Sequence, residues 1–436
     1  MSSASPASPA TQSQPQSLPQ TRSLTQPHVY PPISNVGTPV SYHGNGMQTD
    51  QKFDLLGILS ETPPVNSISR APEDWTLDIE LMHHYCTVTC DTLTVREDAR
   101  YVWRVIMPIE GYASPYVMNG LLAIGALHRA YLATNSQQKE RYVKASAYHI
   151  TTGLQAFREI IALPLNSKNW QPVFCFASMI NVHLMGTPIR LGVTRWPAPI
   201  SNVLDLFGNV KGLQVLMAPF IHSVRKSQLA ALVNSVWLVD PEIIPRYASE
   251  SVYELGKLGR NTNLHVCISP AQLSQSLLPL DFWPQVSQLR VFIDNYPFAP
   301  VEAQPGQTNG DSGTASDPPD RRKEYIIAIE ALERAARSLE LAGTRVEWGM
   351  MFLFAHPLTK IFHDDLQAHE PAALVILAYW CALIHLVDDI WVTNGLSWQL
   401  LQDVESKIRP EFQEWLTWPK HWVFERRGYS FYMNKA

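Results

Sequence analysis

Apolar residues recur at helical spacing along most of this chain, and no stretch alternates with the period of two that marks a half-buried strand. The first clear helix face carries four apolar residues at steps of four and three: Leu77, Leu81, Tyr85 and Val88. A second helix begins at Ser114 and Pro115, because serine is a preferred N-cap and proline a preferred first helical residue. It is apolar almost all round as far as Leu127, which predicts a position in the centre of a helical pack.

The same spacing predicts further helices along the rest of the sequence. They span Ser136–Ile161, Val173–Leu184, Asn202–Met217, Val224–Val239, Gln272–Tyr296, Glu324–Leu341, Trp348–Ala368, Pro371–Trp391, Ser397–Ile408 and Pro410–Trp422. Of these, Trp348–Ala368 is interrupted at His356-Pro357. The pattern therefore predicts an all-α fold, arranged as a multi-helix bundle.

Two stretches interrupt this pattern. Residues 1–70 are rich in Ser, Pro, Gln and Thr with few aromatic or charged residues, so they cannot bury enough apolar surface to offset chain entropy. We predict a disordered tail there, containing one apolar island, Phe53–Leu59, that is either a transient helical turn or a short docking motif. A Pro- and Gly-rich stretch at 300–322 predicts a disordered insertion within a helical domain at 74–425.

Composition narrows the class of protein. The chain has 436 residues, is 46% apolar and carries a net charge near −5, which argues against a broad cationic face for nucleic acid or anionic lipid. Five dispersed cysteines in apolar surroundings are typical of reduced, buried thiols. The N-terminus lacks a secretory pattern, and the longest apolar runs are shorter than the roughly 20 residues of a membrane span. We expect a soluble intracellular protein.

Several stretches resemble the regulatory domain of fungal binuclear zinc-cluster transcription factors of the sterol-uptake-control type. They are Asp78–Cys90 with Trp103 and Pro108, Ser114–Leu132, Asn169–Gly186, Phe207–Leu216, Arg322–Ala336 and Trp348–Trp418. The resemblance spans roughly residues 74–425 and implies an all-helical domain with an apolar cavity, which senses a lipid in the sterol regulators. These are helix-packing signatures, so they specify fold better than chemistry.

The sequence departs from that family at its DNA-binding module. The module needs six cysteines that share two zinc ions, whereas this sequence has no C-x2-C pair and residues 1–70 contain no cysteine. We therefore expect no direct nucleic-acid binding, and a DNA-binding transcription factor as partner. An upstream exon that encodes the module is the alternative.

Three groups of polar residues suggest chemistry, and each has a plainer structural interpretation. His83, Cys86 and Cys90 share one helix face but lack a fourth zinc ligand. The acidic pairs Asp364-Asp365 and Asp388-Asp389 lack the further carboxylate of a diphosphate-binding motif, and we expect helix caps or pairs with Lys360 and Arg409. His385 and Asp388, one turn apart, suggest acid–base work or a structural hydrogen bond. We predict no catalytic residues, no metal ligands and no cofactor.

The aromatic and Met-rich block near the C-terminus is the better candidate for binding. Its members are Trp348, Met350, Met351, Phe352, Phe354, Trp380, Trp391 and Trp398. Such residues provide adaptable apolar surface of the kind that lines small-molecule cavities. We predict that Met351, Trp380 and Trp391 face a ligand.

Two functions stay open at this point. The first is a nuclear regulator, present also in the cytoplasm, that controls a fungal metabolic or secondary-metabolite gene set through a domain binding an apolar small molecule or a partner. The second is a biosynthetic pathway protein that uses the same cavity for a cofactor-free cyclisation or isomerisation. A homodimer is compatible with either.

Overall fold

Helices form nearly all of the structure that a computed structural model describes, as the apolar spacing predicts. The described residues are 75–193, 195–233, 252–254, 265–267, 277–298, 320–342, 346–388 and 390–425. All lie in one of the chain's two compact units, Lys52–Ala436. The predictions for the tail at 1–70, for Phe53–Leu59 and for nearly all of the insertion at 300–322 fall outside the described residues.

The N-terminal half of this unit is a series of α-helices of very different lengths. They span Trp75–His84, Cys90–Thr92, Glu97–Tyr101, Met107–Ala113, Pro115–Leu132, Ser136–Ile161, Trp170–Met185, Thr187–Arg190, Pro199–Met217, Ile221–Lys226 and Ala230–Val233. Two π-helical segments, Tyr85–Thr89 and Val102–Ile106, interrupt the first part. The buried Tyr85 hydroxyl donates to the Trp103 carbonyl at 2.9 Å, so the two π-segments are tied together.

The C-terminal half continues the series of helices. The α-helices span Phe282–Asn295, Arg321–Ala342, Lys360–Gln367, Pro371–Ile384, Leu396–Lys407 and Thr417–Lys420. Between them lie 3₁₀ segments at Trp348–Leu353, His385–Val387 and Pro410–Leu416, and a π-segment at His421–Glu425. A 3₁₀ segment at Ala218–Phe220 lies in the N-terminal half.

The helix Pro115–Leu132 lies at the centre of the N-terminal half, as its all-round apolar character predicts. Its neighbours approach closely where it carries glycine. A Cβ at Gly120 would lie 2.5 Å from the Met179 sulfur, and one at Gly125 would lie 2.8 Å from the Leu81 backbone oxygen. Gly125 therefore sets how near Trp75–His84 can come.

Pro371–Ile384 has the same position in the C-terminal half, since every one of its residues is buried. Within the described chain, no single helix is long and apolar enough to cross a membrane, although the bent pair Lys360–Gln367 and Pro371–Val387, with 95° at the break, passes by length and composition alone.

Several predicted helices differ from the observed ones. The helix expected at Val224–Val239 ends at Lys226, because Ser227 donates to the Val224 carbonyl and accepts from the Leu229 N–H, which closes a turn. Of the helix expected from Gln272, the structure describes residues from 277 on, and the α-helix in this part begins at Phe282.

The predicted helices near the C-terminus are divided into shorter segments. Trp348–Ala368 breaks, near its predicted interruption at His356-Pro357, into a 3₁₀ segment and an α-helix that begins at Lys360. Pro371–Trp391 ends as an α-helix at Ile384, and Pro410–Trp422 consists of 3₁₀, α and π segments.

A short antiparallel ribbon is the exception to the helical fold. Val252–Glu254 pairs with His265–Cys267, with Tyr253 opposite Val266. The sequence analysis predicted no strand here.

Candidate ligand cavity

A cavity of about 560 Å³, partly open to solvent, lies between the two halves of the described unit. This volume lies within the range of roughly 300–1,000 Å³ that small-molecule sites occupy. Its walls come from the segment 93–103, from the helices Trp170–Met185 and Pro199–Met217, from residues 218–233 and from residues 347–356.

Apolar side chains form most of the wall. Four aromatic residues line it, namely Trp103, Phe174, Trp348 and Phe352. Aliphatic and thioether side chains add to this surface, among them Val210, Leu213, Met217 and Met350. Rings and methionines of this kind provide broad and adaptable contact with an apolar molecule.

A buried carboxylate, Glu347, holds two distant parts of the wall together. Its Oε1 atom accepts hydrogen bonds from the Thr94 hydroxyl at 2.7 Å and from the backbone N–H groups of Val95 and Arg96 at 3.1 and 2.9 Å. These groups lie just before the helix Glu97–Tyr101, so Glu347 satisfies N–H groups at a helix start from more than 250 residues away. Burial raises the pKa of Glu347, and the hydrogen bonds from Thr94 and Arg96 oppose that shift.

Arg96 extends the same connection to a third element. Its guanidinium pairs with Asp98 and donates to the Ala231 carbonyl at 3.2 Å. The segment Ala230–Val233, which contributes to the wall, is thereby joined to the start of the helix Glu97–Tyr101.

Two further polar residues of the lining, Asn181 and His356, are hydrogen-bonded to residues of the helix Pro199–Met217. Asn209 donates to the Asn181 side-chain oxygen at 2.5 Å. The Lys211 ammonium donates to the carbonyls of His356 and Leu358 at 3.2 and 2.8 Å. Burial, together with the charges of Lys211 and Arg334, lowers the pKa of His356 to about 4, so this ring is neutral near pH 7.

The three residues predicted to face a ligand lie close to this cavity, but they are not among its lining residues. Trp380 is buried, with its indole N–H donating to the Met351 carbonyl at 3.1 Å and its ring stacked on Phe354. Trp391 donates to the Thr92 hydroxyl at 2.9 Å. Trp348, Met350 and Phe352, which lie with Met351 in the 3₁₀ segment Trp348–Leu353, line the cavity. Contact of Met351, Trp380 and Trp391 with a ligand stays a prediction.

Sequence reasoning also missed the polar part of the wall. Glu347 and Thr94 are 253 positions apart, and no local periodicity connects them. The sequence does show Glu347 between two large apolar residues, Val346 and Trp348. An acidic residue in such an apolar stretch is seldom buried unless other groups hydrogen-bond to it.

The His385–Asp388 pair is part of a helix start. Ser397 lies between them, donating its hydroxyl and its backbone N–H to the Asp388 carboxylate, while His385 Nδ1 lies 3.3 Å from the Ser397 oxygen. Ser397 is fully buried in the first turn of Leu396–Lys407. The arrangement is a cap for that helix, in line with the structural interpretation of the pair.

The other acidic pair is also engaged within the fold. Asp364 pairs with Lys360 at 2.5 Å, as expected. Asp365 is buried and accepts from Arg321 at 3.0 Å and from the Tyr325 hydroxyl at 2.9 Å. Asp388 caps a helix rather than pairing with Arg409, and Asp389 lies outside the described residues.

The cysteines near His83 pack within the helical core. The fully buried Cys90 thiol donates to the Cys86 carbonyl at 3.2 Å, and burial raises its pKa to about 11. In the described ranges, no group of three or more His, Cys, Asp or Glu side chains has the arrangement of a metal site.

Two buried histidines, His84 and His128, form a cluster beside Trp391. The His128 ring stacks on Trp391 with 4.8 Å between centroids, and its Nδ1 lies 3.0 Å from the Thr89 hydroxyl. His84 packs on His128 at 5.1 Å. Burial lowers the pKa of His84 to about 4 and that of His128 to about 3, so both rings are neutral near pH 7.

Two curated fungal proteins are similar in sequence to this chain. No family model matches the chain. A Zn(2)-C6 fungal-type transcription factor of Gibberella zeae is 20% identical over 355 residues, covering 79% of this chain and 61% of that protein. Sterol uptake control protein 2 of Saccharomyces cerevisiae is 31% identical over 94 residues, covering 21% of this chain and 10% of that protein. The chain thus spans less than two thirds of either relative's length.

Both similarities are to fungal proteins, one named a Zn(2)-C6 transcription factor and the other a sterol uptake control protein. They agree with the family that the sequence stretches resemble.

Proposed function

We propose that this protein regulates the transcription of a fungal metabolic gene set, such as a secondary-metabolite cluster, in response to an apolar small molecule. Similarity to two fungal regulators supports the regulatory part of the proposal. The cavity of about 560 Å³ supports the small-molecule part and is the observation that carries it.

The position of the cavity would couple the binding of a molecule there to the conformation of the domain. Its wall includes both the segment that begins at Leu93 and the segment that contains Trp348, which are joined by the Glu347 hydrogen bonds. If these two segments can adopt two arrangements, a ligand that binds one of them more tightly increases the population of that arrangement. The size of the change is set by the difference in binding affinity between the two arrangements.

The proposal includes a partner that contacts DNA and a nuclear location. This sequence has no C-x2-C pair and has a net charge near −5. A separate DNA-binding transcription factor would bring the helical domain to promoters.

The test is deletion of the gene, with transcript profiling and chromatin immunoprecipitation of the epitope-tagged protein. We expect many transcripts of one metabolic gene set to change together, and tagged protein to be enriched at their promoters. Unchanged transcripts with accumulation of one pathway intermediate would contradict the proposal and would favour a biosynthetic role for the cavity.

A further inference from the structure

The hydrogen bonds to the Glu347 carboxylate engage only one of its two oxygens. Three donors converge on Oε1, from Thr94, Val95 and Arg96. Among the described residues, neither a further hydrogen bond nor an ion pair engages Oε2. Glu347 lines the cavity, so this second oxygen is available to a molecule bound inside.

Among the described residues, no ion pair joins Glu347 to a cation. The charge of the nearby Arg96 guanidinium opposes the rise in the pKa of Glu347, but this guanidinium is itself paired with Asp98. His356 is neutral near pH 7, and Arg225, the other cation of the lining, is exposed on the short helix Ile221–Lys226. The three hydrogen bonds to Oε1 and the charge of Arg96 offset part of the cost of burying this carboxylate, and a cation at Oε2 would offset more.

The aromatic part of the wall favours the same sign of charge in a ligand. Trp348 follows Glu347 directly, and Trp103, Phe174 and Phe352 contribute three more rings to the lining. The faces of aromatic rings attract ammonium groups, and the attraction grows when water is excluded. A cavity wall that carries one carboxylate and four aromatic residues is therefore suited to a cation with an apolar body.

We infer that the cavity takes an apolar molecule carrying a protonated amino group, with the ammonium bound to Glu347 Oε2 and the apolar body among the surrounding rings. The inference rests on the small-molecule part of the proposed function and names the chemical class of the ligand. An ammonium there donates to an oxygen that the fold leaves unused, and it neutralises the inner wall.

The test compares rigid probes that differ only in their polar group. Binding of 1-adamantylamine, 1-adamantanol, adamantane-1-carboxylate and N-(1-adamantyl)acetamide to the full-length protein is measured by calorimetry at pH 7. We expect the amine to bind about tenfold more tightly than the other three, because only the amine is cationic. The acetamide carries the same nitrogen as the amine but no positive charge. Comparing these two probes on the wild-type protein therefore tests the inference without any variant.

Two variants locate the effect. Glu347→Gln keeps an oxygen that accepts from Thr94 and Arg96 but removes the charge, so the amine and the alcohol should then bind within about twofold of each other. Asp365→Asn removes a buried carboxylate outside the cavity and should leave the preference for the amine unchanged. Thermal unfolding of each variant confirms that it is folded.

The outcomes separate this inference from the proposed function. Equal affinities of the wild type for the amine, the alcohol and the acetamide would overturn the inference and leave a neutral ligand for the cavity. If none of the probes binds, both the inference and the small-molecule part of the proposal are overturned. Selective amine binding in a protein whose deletion leaves transcripts unchanged would support the inference and contradict the regulatory role.

Discussion

The indole N–H of Trp348 donates a hydrogen bond of 2.7 Å to the backbone carbonyl of Leu93, and both groups are buried. This bond lies beside the one from the Thr94 hydroxyl to Glu347. Together they fasten the 3₁₀ segment Trp348–Leu353 to the segment that precedes the helix Glu97–Tyr101. The cavity wall is therefore continuous across residues that are far apart in the chain.

Replacing Trp348 by Phe tests the strength of this junction. The variant keeps an aromatic ring but leaves the buried Leu93 carbonyl without its donor, and loss of a buried partner costs about 1–3 kcal/mol. We expect the free energy of unfolding in urea to fall by that amount. Trp75→Phe, at a tryptophan that is 62% exposed, is the control and should change it by less than about 0.5 kcal/mol. Equal effects of the two substitutions would contradict a special role for the Trp348 junction.

Gly125→Ala tests the close approach of the two N-terminal helices. The added Cβ would lie 2.8 Å from the Leu81 backbone oxygen, so the helix Trp75–His84 must shift. Overpacking of this kind costs typically about 1–3 kcal/mol, while alanine returns about 1 kcal/mol of helix propensity. We expect a net loss of stability of about 1 kcal/mol in urea unfolding.

Gly349→Ala is the matched control, because nothing lies within 4 Å of a Cβ built there. A Gly125→Ala protein as stable as the wild type would show that the helix Trp75–His84 packs less closely on Pro115–Leu132 than the described contact requires.

The buried histidines predict loss of stability in mild acid. The pKa of His84 is lowered to about 4 and that of His128 to about 3, whereas an unfolded histidine titrates near about 6.5. Above pH ~6.5 both states are neutral and stability does not depend on these rings. Below it the unfolded chain binds protons that the folded chain does not, so each histidine costs about 1.4 kcal/mol per pH unit until its folded pKa is reached.

Unfolding in urea between pH 7 and pH 4 measures how the free energy of unfolding falls with each pH unit. His84→Leu should reduce this slope by the contribution of one histidine, about 1.4 kcal/mol per pH unit. The substitution suits the site, because His84 Nε2 is buried without a hydrogen-bond partner among the described residues. His222→Gln, at an exposed position, is the control. A slope that His84→Leu leaves unchanged would contradict the assignment.

Asp388 is expected to act through stability. Asp388→Ala removes the acceptor for the N–H and the hydroxyl of Ser397, and loss of a helix cap costs typically about 1 kcal/mol. Asp388→Asn keeps a side-chain oxygen for the N–H, so its loss should be smaller. Chemical denaturation of the two variants gives the comparison, and an equal loss in both would show that the capping bond contributes little.

The helices were predictable from the sequence where the signals that define them are local. Ser136–Ile161 was predicted with its observed bounds, because it is amphipathic and starts after Asn135, whose side chain accepts from the Gln138 N–H at 2.8 Å. The start at Pro371 follows from proline's preference for the first helical turn. Amphipathic spacing and capping residues are properties of neighbouring positions, so one sequence is enough to reveal them.

The cavity was predictable only in outline. The sequence pointed to the block that contains Trp348, Met350 and Phe352, which line the cavity, while ligand contacts of Met351, Trp380 and Trp391 stay a prediction. Switching from α-helix to 3₁₀-helix changes which side chains share a face, and spacing alone does not reveal this switch. The contact of Glu347 with Thr94 depends on tertiary packing across 253 positions, which no local pattern encodes.

Filling the cavity in the living fungus tests the central claim most directly. Leu213 lines the cavity, and Leu213→Trp would occupy part of it, whereas Val215→Trp places the same ring at a position on the same helix that is 62% exposed. Transcripts are profiled in the deletion strain and in strains that carry each variant at equal protein level. We expect Leu213→Trp to change the gene set that deletion changes, and Val215→Trp to match the wild type. A Leu213→Trp strain with wild-type transcripts, alongside a deletion strain whose transcripts change, would contradict control through the cavity.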